Sequence, residues 1–426
     1  MGVSSSYRTY LVGLALLAAG CSRAPESVTA PAAPAEPTVG AFAALPSPAA
    51  AGSGEPRLSV DAAGALVMSW LEPGAVTGEV ALKYARFDGE RWSDPALVAS
   101  GADWVVSAAD SPSVRWLGPG LVAADWRVPA ASSPYAYDIR VAVSADAGRS
   151  WSESVLLNDD GTPTEHGFVS WFAARDGRAG VVWLDGRDNA SEEIYAPSGA
   201  PLGTSLRYAY LGADGRLAEQ GVIDELACDC CRTDVVATAS SAAIVYRDRS
   251  PEEIRDIVVR VPTAAGWSAP VTLGPDNWQI DGCPVNGPKA AANGDELAVA
   301  WFTAAEGRGR VRAARSSDGG RSFGAAVDID ATAALGQVGI VLADDGTAFV
   351  SWWQRRTDGG ADLALRTLRR DGTLGGASVI ASSASSRPDT VPQLERAGRL
   401  LVVAWNDDRE SPAALKLIAA ELSPTR

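Results

Sequence analysis

An apolar, β-rich run that ends in an aromatic residue recurs seven times along this chain: ALVMSW at Trp70, LVAADW at Trp126, AGVVW at Trp183, AAIVY at Tyr246, ELAVAW at Trp301, AFVSW at Trp352 and LLVVAW at Trp405. The aromatics follow one another at roughly 55-residue intervals, the period of a repeat architecture rather than of one conventional core.

A polar loop follows each aromatic, and then a second run in which apolar and polar residues alternate, as in LKYARFDG, IRVAVSADAG and VRAARSSDGG. Alternation puts every second side chain on one face, the pattern of half-buried antiparallel strands. A shorter strand of small residues precedes each aromatic run, and a weaker outer strand follows each second run. Four short strands per repeat predict an all-β chain folded as a β-propeller of four-stranded antiparallel blades. Seven aromatic runs favour seven blades. Each aromatic, fixed at one strand position, is read as packing between blades rather than as a ligand contact. The last repeat runs out of chain before its outer strand. Residues 38–45 are expected to supply it, which closes the ring and hides a sheet edge.

Two turns share a further pattern. Ser144, Asp146, Gly148 and Trp151 in SADAGRSW, and Ser316, Asp318, Gly320 and Phe323 in SSDGGRSF, both fit S-x-D-x-G-x-x-[WF]. The aspartate can accept hydrogen bonds from turn amides, the glycine permits positive φ, and the aromatic plugs the blade edge. Weaker copies stand at Asp88-Gly89 with Trp92 and at Gly266-Trp267. These turns resemble the Asp box of sialidase-like (BNR repeat) propellers, and the resemblance covers residues 56–422. The elements EHGFVS, WLDGR, CDCCR, YRDRSPEEIRDI and CPVNGP resemble those of bacterial proteins described as exo-alpha-sialidase-like. The resemblance implies Asp boxes between third and fourth strands, on the face away from an active site. Its catalytic members have six blades, which leaves six open here. A shared fold does not by itself fix an activity.

In such a blade, loops leaving the second strand and loops leading into the next first strand emerge on one face. Glu165-His166-Gly167, Cys228 to Arg232, residues 281–286, Leu184 to Asp188, Arg247 to Glu253 and residues 406–409 fall there. The only histidine, four cysteines and several Arg/Asp pairs therefore converge over blades three to five. Cys228, Cys230, Cys231 and Cys283 are an even set, and in an oxidising compartment two disulfides are the leading reading, with no cofactor required. Adjacent Cα atoms are only ~3.8 Å apart, too close for an unstrained bond between neighbours. The two plausible connectivities therefore both tie Cys283 to Cys230 or Cys231. The alternative is copper or zinc held by these thiols, with His166 as a further ligand. Otherwise His166 is read as a loop histidine bonded to backbone.

The candidate catalytic residues are Asp185, Arg187, Tyr195, Arg247 and Asp248. The sialidase resemblance implies three arginines on a sugar carboxylate, a tyrosine nucleophile activated by a glutamate, and an aspartate acid/base. The family's early Arg-Ile-Pro element is missing, and Arg57 in EPRLS stands nearest to it. Arg187, Arg247, Arg255, Arg355 and Arg409 are the other arginines in reach. Tyr195 follows Glu192 and Glu193 in a loop, whereas Tyr246 occupies the repeat's core position. Asp185 with Arg187, and Asp248 with Arg247 or Arg249, read equally well as braces of their loops. Three functions fit: a Cys/His/Arg/Asp loop face forming a ligand-binding or metal/redox pocket, an exo-sialidase-type glycoside hydrolase acting on acidic sugars, and a protein-binding scaffold.

The N-terminus points to export. Arg8 precedes the apolar stretch YLVGLALLAAG, too short for a stable membrane span, and residues 1–20 read as a signal peptide. Leu17-Ala18-Ala19-Gly20-Cys21 resembles the bacterial lipobox, which implies cleavage before Cys21 and its lipidation. Ser22 in the next place implies the outer membrane. Residues 21–55 are Pro/Ala-rich and read as a lipidated tether, leaving 56–426 for the propeller. A net charge of −15, from 52 acidic and 37 basic residues, excludes non-specific nucleic-acid binding. The expected partners are a membrane, through Cys21, and a small-molecule, glycan or protein ligand on the loop face.

Overall fold

The computed structural model describes residues 38–190, 202–239, 242–385, 391–407 and 414–423. Cys21, Tyr195, Glu192, Glu193 and Arg409 lie outside the described residues. The described residues form seven four-stranded antiparallel sheets, each with its strands in chain order from axis to rim apart from the closing blade. This is a seven-bladed β-propeller, so the count follows the aromatic runs rather than the six-bladed members of the resembled family.

The blades span 54–101, 113–156, 166–224, 234–272, 289–330, 334–383 and 393–421. Blade 7 takes its outer strand from the other end of the chain: Ala43 pairs with Ala419 and Ala44 with Ile418. The Gly40 and Leu45 amides bond to the carbonyls of Glu421 (2.9 Å) and Leu417 (3.0 Å). Residues 38–45 thus supply the closing strand as expected, and Gly54 and Glu55, assigned above to the tether, belong to the first strand of blade 1.

Apolar burial is concentrated between blades. Trp70 and Met68 pack with Val402 and Ala404, joining blades 1 and 7, and Trp183 packs with Ile139 and Val141, joining blades 3 and 2. Trp70, Trp183, Trp301 and Trp352 are almost wholly buried. Each indole still finds an acceptor: Trp70 reaches Glu72 (2.7 Å), Trp183 Asp185 (2.8 Å), Trp301 Asp276 (2.9 Å) and Trp352 Asp330 (3.1 Å). The recurrent aromatic thus fills the seam and fixes a carboxylate with its polar tip.

Both full Asp boxes close the same way. Ser150 N donates to Asp146 (2.8 Å) and Gly148 N to Ser144 Oγ (2.8 Å); Ser322 N donates to Asp318 (2.9 Å) and Gly320 N to Ser316 Oγ (3.0 Å). Trp151 and Phe323 pack into the seams between blades 1 and 2 and between blades 4 and 5.

The seven first strands line the axis. The residue paired with the one before each aromatic is Arg57, Ser113, Ser170, Asp234, Lys289, Gly339 and Gln393 in turn. These seven equivalent positions face an axial cavity of about 390 Å³, with Arg115 and Glu395 one pleat further on.

Candidate functional site

Opposite the Asp boxes, the loops leading into the first strands crowd round the axial mouth. Arg57 is half-buried there, and its guanidinium makes no hydrogen bond or ion pair among the described residues. Arg232 donates from Nε to the Ala109 carbonyl (2.7 Å) and from Nη2 to the Ala108 carbonyl and Ser111 Oγ (3.2 Å). Its buried Nη1 has no hydrogen-bond partner. Burial, then the charge of Arg57, pushes Arg232 down to about 9. Lys289 sits 3.3 Å from Asp234, yet burial, reinforced by Arg57, Arg115 and Arg232, pushes it down to about 8. Four cations, Arg57, Arg115, Arg232 and Lys289, thus gather round the axis together with Asp234, Glu55 and Glu395.

The backbone is strained at the same level. Glu55, Phe168, Val285 and Gln337 have φ of 55°, 56°, 49° and 54°. In blades 1, 3 and 6 the pairing of the first strand also shifts register here, forming a bulge. The bulge turns Glu55 towards Ser111 Oγ (2.9 Å) and Asn406 Nδ2 (3.4 Å). Burial raises the Glu55 carboxyl, opposed by these bonds and by Arg232.

Beside the mouth, Tyr137 Oη donates to Glu165 Oε1 at 2.6 Å. Burial pushes Glu165 up to about 7; the tyrosine bond opposes this, and the charges of Asp110 and Asp229 add to it. Asp110 is held in turn by Arg127 Nε (2.6 Å) and the Phe168 amide (2.9 Å). The result is a carboxyl group that carries a proton near neutrality, the property of a general acid. No sequence motif marks this pair. Glu165 was visible only as the neighbour of His166, and Tyr137 reads as an ordinary core residue of an alternating strand.

The sequence-predicted catalytic residues are placed differently. Asp185 is fully buried and accepts from Trp183 Nε1 (2.8 Å) and from Arg187 Nε (2.7 Å) and Nη2 (2.8 Å). Arg187 also lies 3.2 Å from Asp160. Buried Arg247 bonds to the carbonyls of Asn286 (2.9 Å), Arg255 (2.6 Å) and Phe302 (2.7 Å), and packs 4.9 Å over Trp278. These side chains are thus held by bonds within and between blades. Asp248 accepts from the Arg249 amide (2.9 Å), and burial, then the charge of Asp224, pushes it up to about 6. Arg355 ends its strand exposed.

His166 keeps to a carboxylate cluster. Its Nδ1 lies 3.1 Å from the Tyr137 carbonyl, and its Nε2 lies 3.1 Å from Asp160 and 3.7 Å from Asp185. These three side chains offer a metal-sized set, but the Arg187 cation already spans both carboxylates. The structure does not bring His166 to the cysteines, where the metal alternative offered it as a further ligand.

Cys230 is bonded to Cys283, one of the two connectivities expected. The second expected bond is not formed: Cys228 and Cys231 are buried thiols with sulfurs 2.8 Å apart. Burial opposes ionisation of Cys228, but its hydrogen bond with Cys231, the charge of Arg247 and the Arg255 donor together lower it from the usual thiol value. Burial and its neighbour hold Cys231 high. With Cys230 committed to Cys283, this loop offers a soft metal two thiols, fewer than the four ligands of a structural zinc site.

No protein-family model and no curated protein matches the chain. Among solved structures, a protein of unknown function from Dyadobacter fermentans is similar at 14% identity and TM-score 0.47, over 87% of this chain and 95% of that one. NanB sialidase from Streptococcus pneumoniae is similar at 8% identity and TM-score 0.46, over 84% of each chain. A GH93 α-L-arabinofuranosidase of Fusarium graminearum is similar at 13% identity and TM-score 0.48, over 91% of this chain and 98% of that one. No residue role is carried across at these identities.

Proposed function

We propose that this protein is a bacterial cell-envelope lipoprotein, anchored through Cys21, whose axial mouth captures an anionic small molecule or the acidic unit of a glycan. One observation carries the reading: Arg57 faces the axial cavity with donors that no described residue accepts, and Arg232 stands close enough to feel its charge while its own buried Nη1 has no acceptor. Like charges in a partly desolvated site disfavour one another until an anion arrives, and guanidinium forks match carboxylate and sulfate oxygens. Further down the axis Lys289 and Arg115 stand with Asp234 and Glu395.

A second reading, hydrolysis of an acidic glycoside, is favoured by the Tyr137–Glu165 contact and by the Asp-box resemblance. In it Arg57 and Arg232 hold the sugar carboxylate, and Glu165 delivers a proton to the leaving oxygen.

Calorimetric titration of the intact chain with N-acetylneuraminate, galacturonate and neutral galactose tests the first reading. The acidic sugars are expected to bind and galactose to fail, with Arg57→Ala and Arg232→Ala each weakening binding at least about tenfold. Equal binding of galactose, or none of either acid, overturns it. For the second reading, Glu165→Gln must abolish release of a fluorescent leaving group from an acidic glycoside while leaving binding intact.

A further inference from the structure

The cysteine loop runs directly into Arg232 of the mouth, but its sulfurs have an arrangement of their own, that of an internal exchange system. The sulfurs of Cys228, Cys230 and Cys231 all lie within 4.8 Å of one another. Cys228 and Cys231 are buried, whereas Cys283, the far end of the disulfide, is exposed. Arg255 Nη1 points at Cys228 Sγ from 3.4 Å, and buried Arg247 stands close enough to act on the same sulfur, so a thiolate there has cations to face.

We propose that the four cysteines form a two-electron thiol–disulfide relay that carries reducing equivalents between a buried pair, Cys228 and Cys231, and an exposed terminal, Cys283. The steps need no outside oxidant. Cys228 thiolate attacks Cys230 Sγ; the Cys228–Cys230 bond forms, the Cys230–Cys283 bond breaks, and Cys283 leaves as a thiolate that takes up the proton Cys228 lost. Cys231 thiolate then attacks Cys228 Sγ, forming Cys228–Cys231 and releasing Cys230 as the second thiol. One disulfide is consumed and one is made, so the buried dithiol is oxidised as the Cys230–Cys283 pair is reduced. The exposed Cys283 is then open to exchange with a thiol or disulfide from outside.

The relay is tested on the full chain holding two thiol equivalents per molecule, set by titration with a phosphine reductant and kept from oxygen. The native protein is exposed to a maleimide for graded times, quenched in acid and mapped by mass spectrometry of non-reduced peptides. Label is expected on Cys230 and Cys283, with Cys228 joined to Cys231 in the same molecules. Cys228→Ser is expected to slow Cys283 labelling at least about tenfold while the Cys230–Cys283 bond persists. Cys231→Ser, which keeps the first step and removes the second, is expected to label Cys283 alone and to trap Cys228–Cys230. The proposal is overturned if Cys283 stays bonded and unlabelled while Cys228 and Cys231 react only after unfolding. It is equally overturned if Cys228→Ser leaves Cys283 labelling unchanged, or if Cys231→Ser traps no Cys228–Cys230 bond.

Discussion

Tyr137 Oη and Glu165 Oε1 meet at 2.6 Å across the boundary between blades 2 and 3, where the tyrosine is buried and the carboxyl is half-buried. The contact joins the start of a third strand to the loop leading into the next first strand. It brings a proton-carrying group to the working face without using any residue of the Asp boxes.

That group gives stability a pH dependence with a definite sign. Glu165 rises from the ordinary glutamate value to about 7 in the folded protein. Its protonated form is favoured by folding, so the stabilisation is complete below the unfolded value and disappears as pH rises through 7. Calorimetric melting between pH 5 and 8 is expected to show wild type losing about 2–4 °C relative to Glu165→Gln over that interval. Parallel curves for the two proteins would show that the carboxyl does not titrate there.

Gly148 separates a conformational need from a packing need. Its φ is 86°, and a Cβ there would collide with Tyr84 Oη, which itself donates to the Gly148 carbonyl at 3.0 Å. Gly177 has a similar φ of 82° with open space around it. Gly177→Ala is expected to cost about 1 kcal/mol, the strain of positive φ alone. Gly148→Ala is expected to cost about 3 kcal/mol, because the seam between blades 1 and 2 must also yield. Denaturant melts of the two variants, compared at constant m, measure the difference.

The architecture was legible because its determinants are local and repeated. Each aromatic run, alternating strand and Asp box carries its own signal, and the missing outer strand of the last repeat called for a segment like 38–45. The working face was legible only as topology. Sequence placed His166, the cysteines and the Arg/Asp loops on one side of the molecule, but proximity within that side depends on which carboxylate each cation reaches. Asp185 and Arg187 reach each other, and His166 reaches Asp160. Arg57 and Arg232 come into mutual range only because the first strands of blades 1 and 4 both face the axis, across a sequence distance no local pattern spans.

Arg57 and Arg247 should therefore respond oppositely to truncation. Arg247 bonds to carbonyls of Asn286, Arg255 and Phe302 in the interior, so Arg247→Ala leaves buried acceptors without donors. A loss of about 3 kcal/mol is expected. Arg57 has no such bonds among the described residues and adds repulsion to Arg232, so Arg57→Ala is expected to leave Tm unchanged or raise it. A ligand-free melt in which Arg57→Ala falls as far as Arg247→Ala would identify Arg57 as another brace.

The closure of blade 7 sets where the folded region can begin. Thr38 O accepts from the Ser423 amide (3.0 Å), Val39 bridges Leu422, and Ala43–Ala44 supplies the outer strand. A chain starting at Thr38 keeps every one of these pairings, whereas one starting at Gly54 leaves the strand Ala414–Glu421 as an open edge and uncovers the packing of Phe42 and Val39. The shorter chain is expected to melt several degrees lower and to associate through that edge. Supplying residues 38–50 as a free peptide should restore part of the loss, because the edge accepts a strand from any source that fits its register. Size-exclusion chromatography with and without the peptide reads this directly, and a Gly54 chain as stable and monomeric as the Thr38 chain would show that the ring closes without its N-terminal strand.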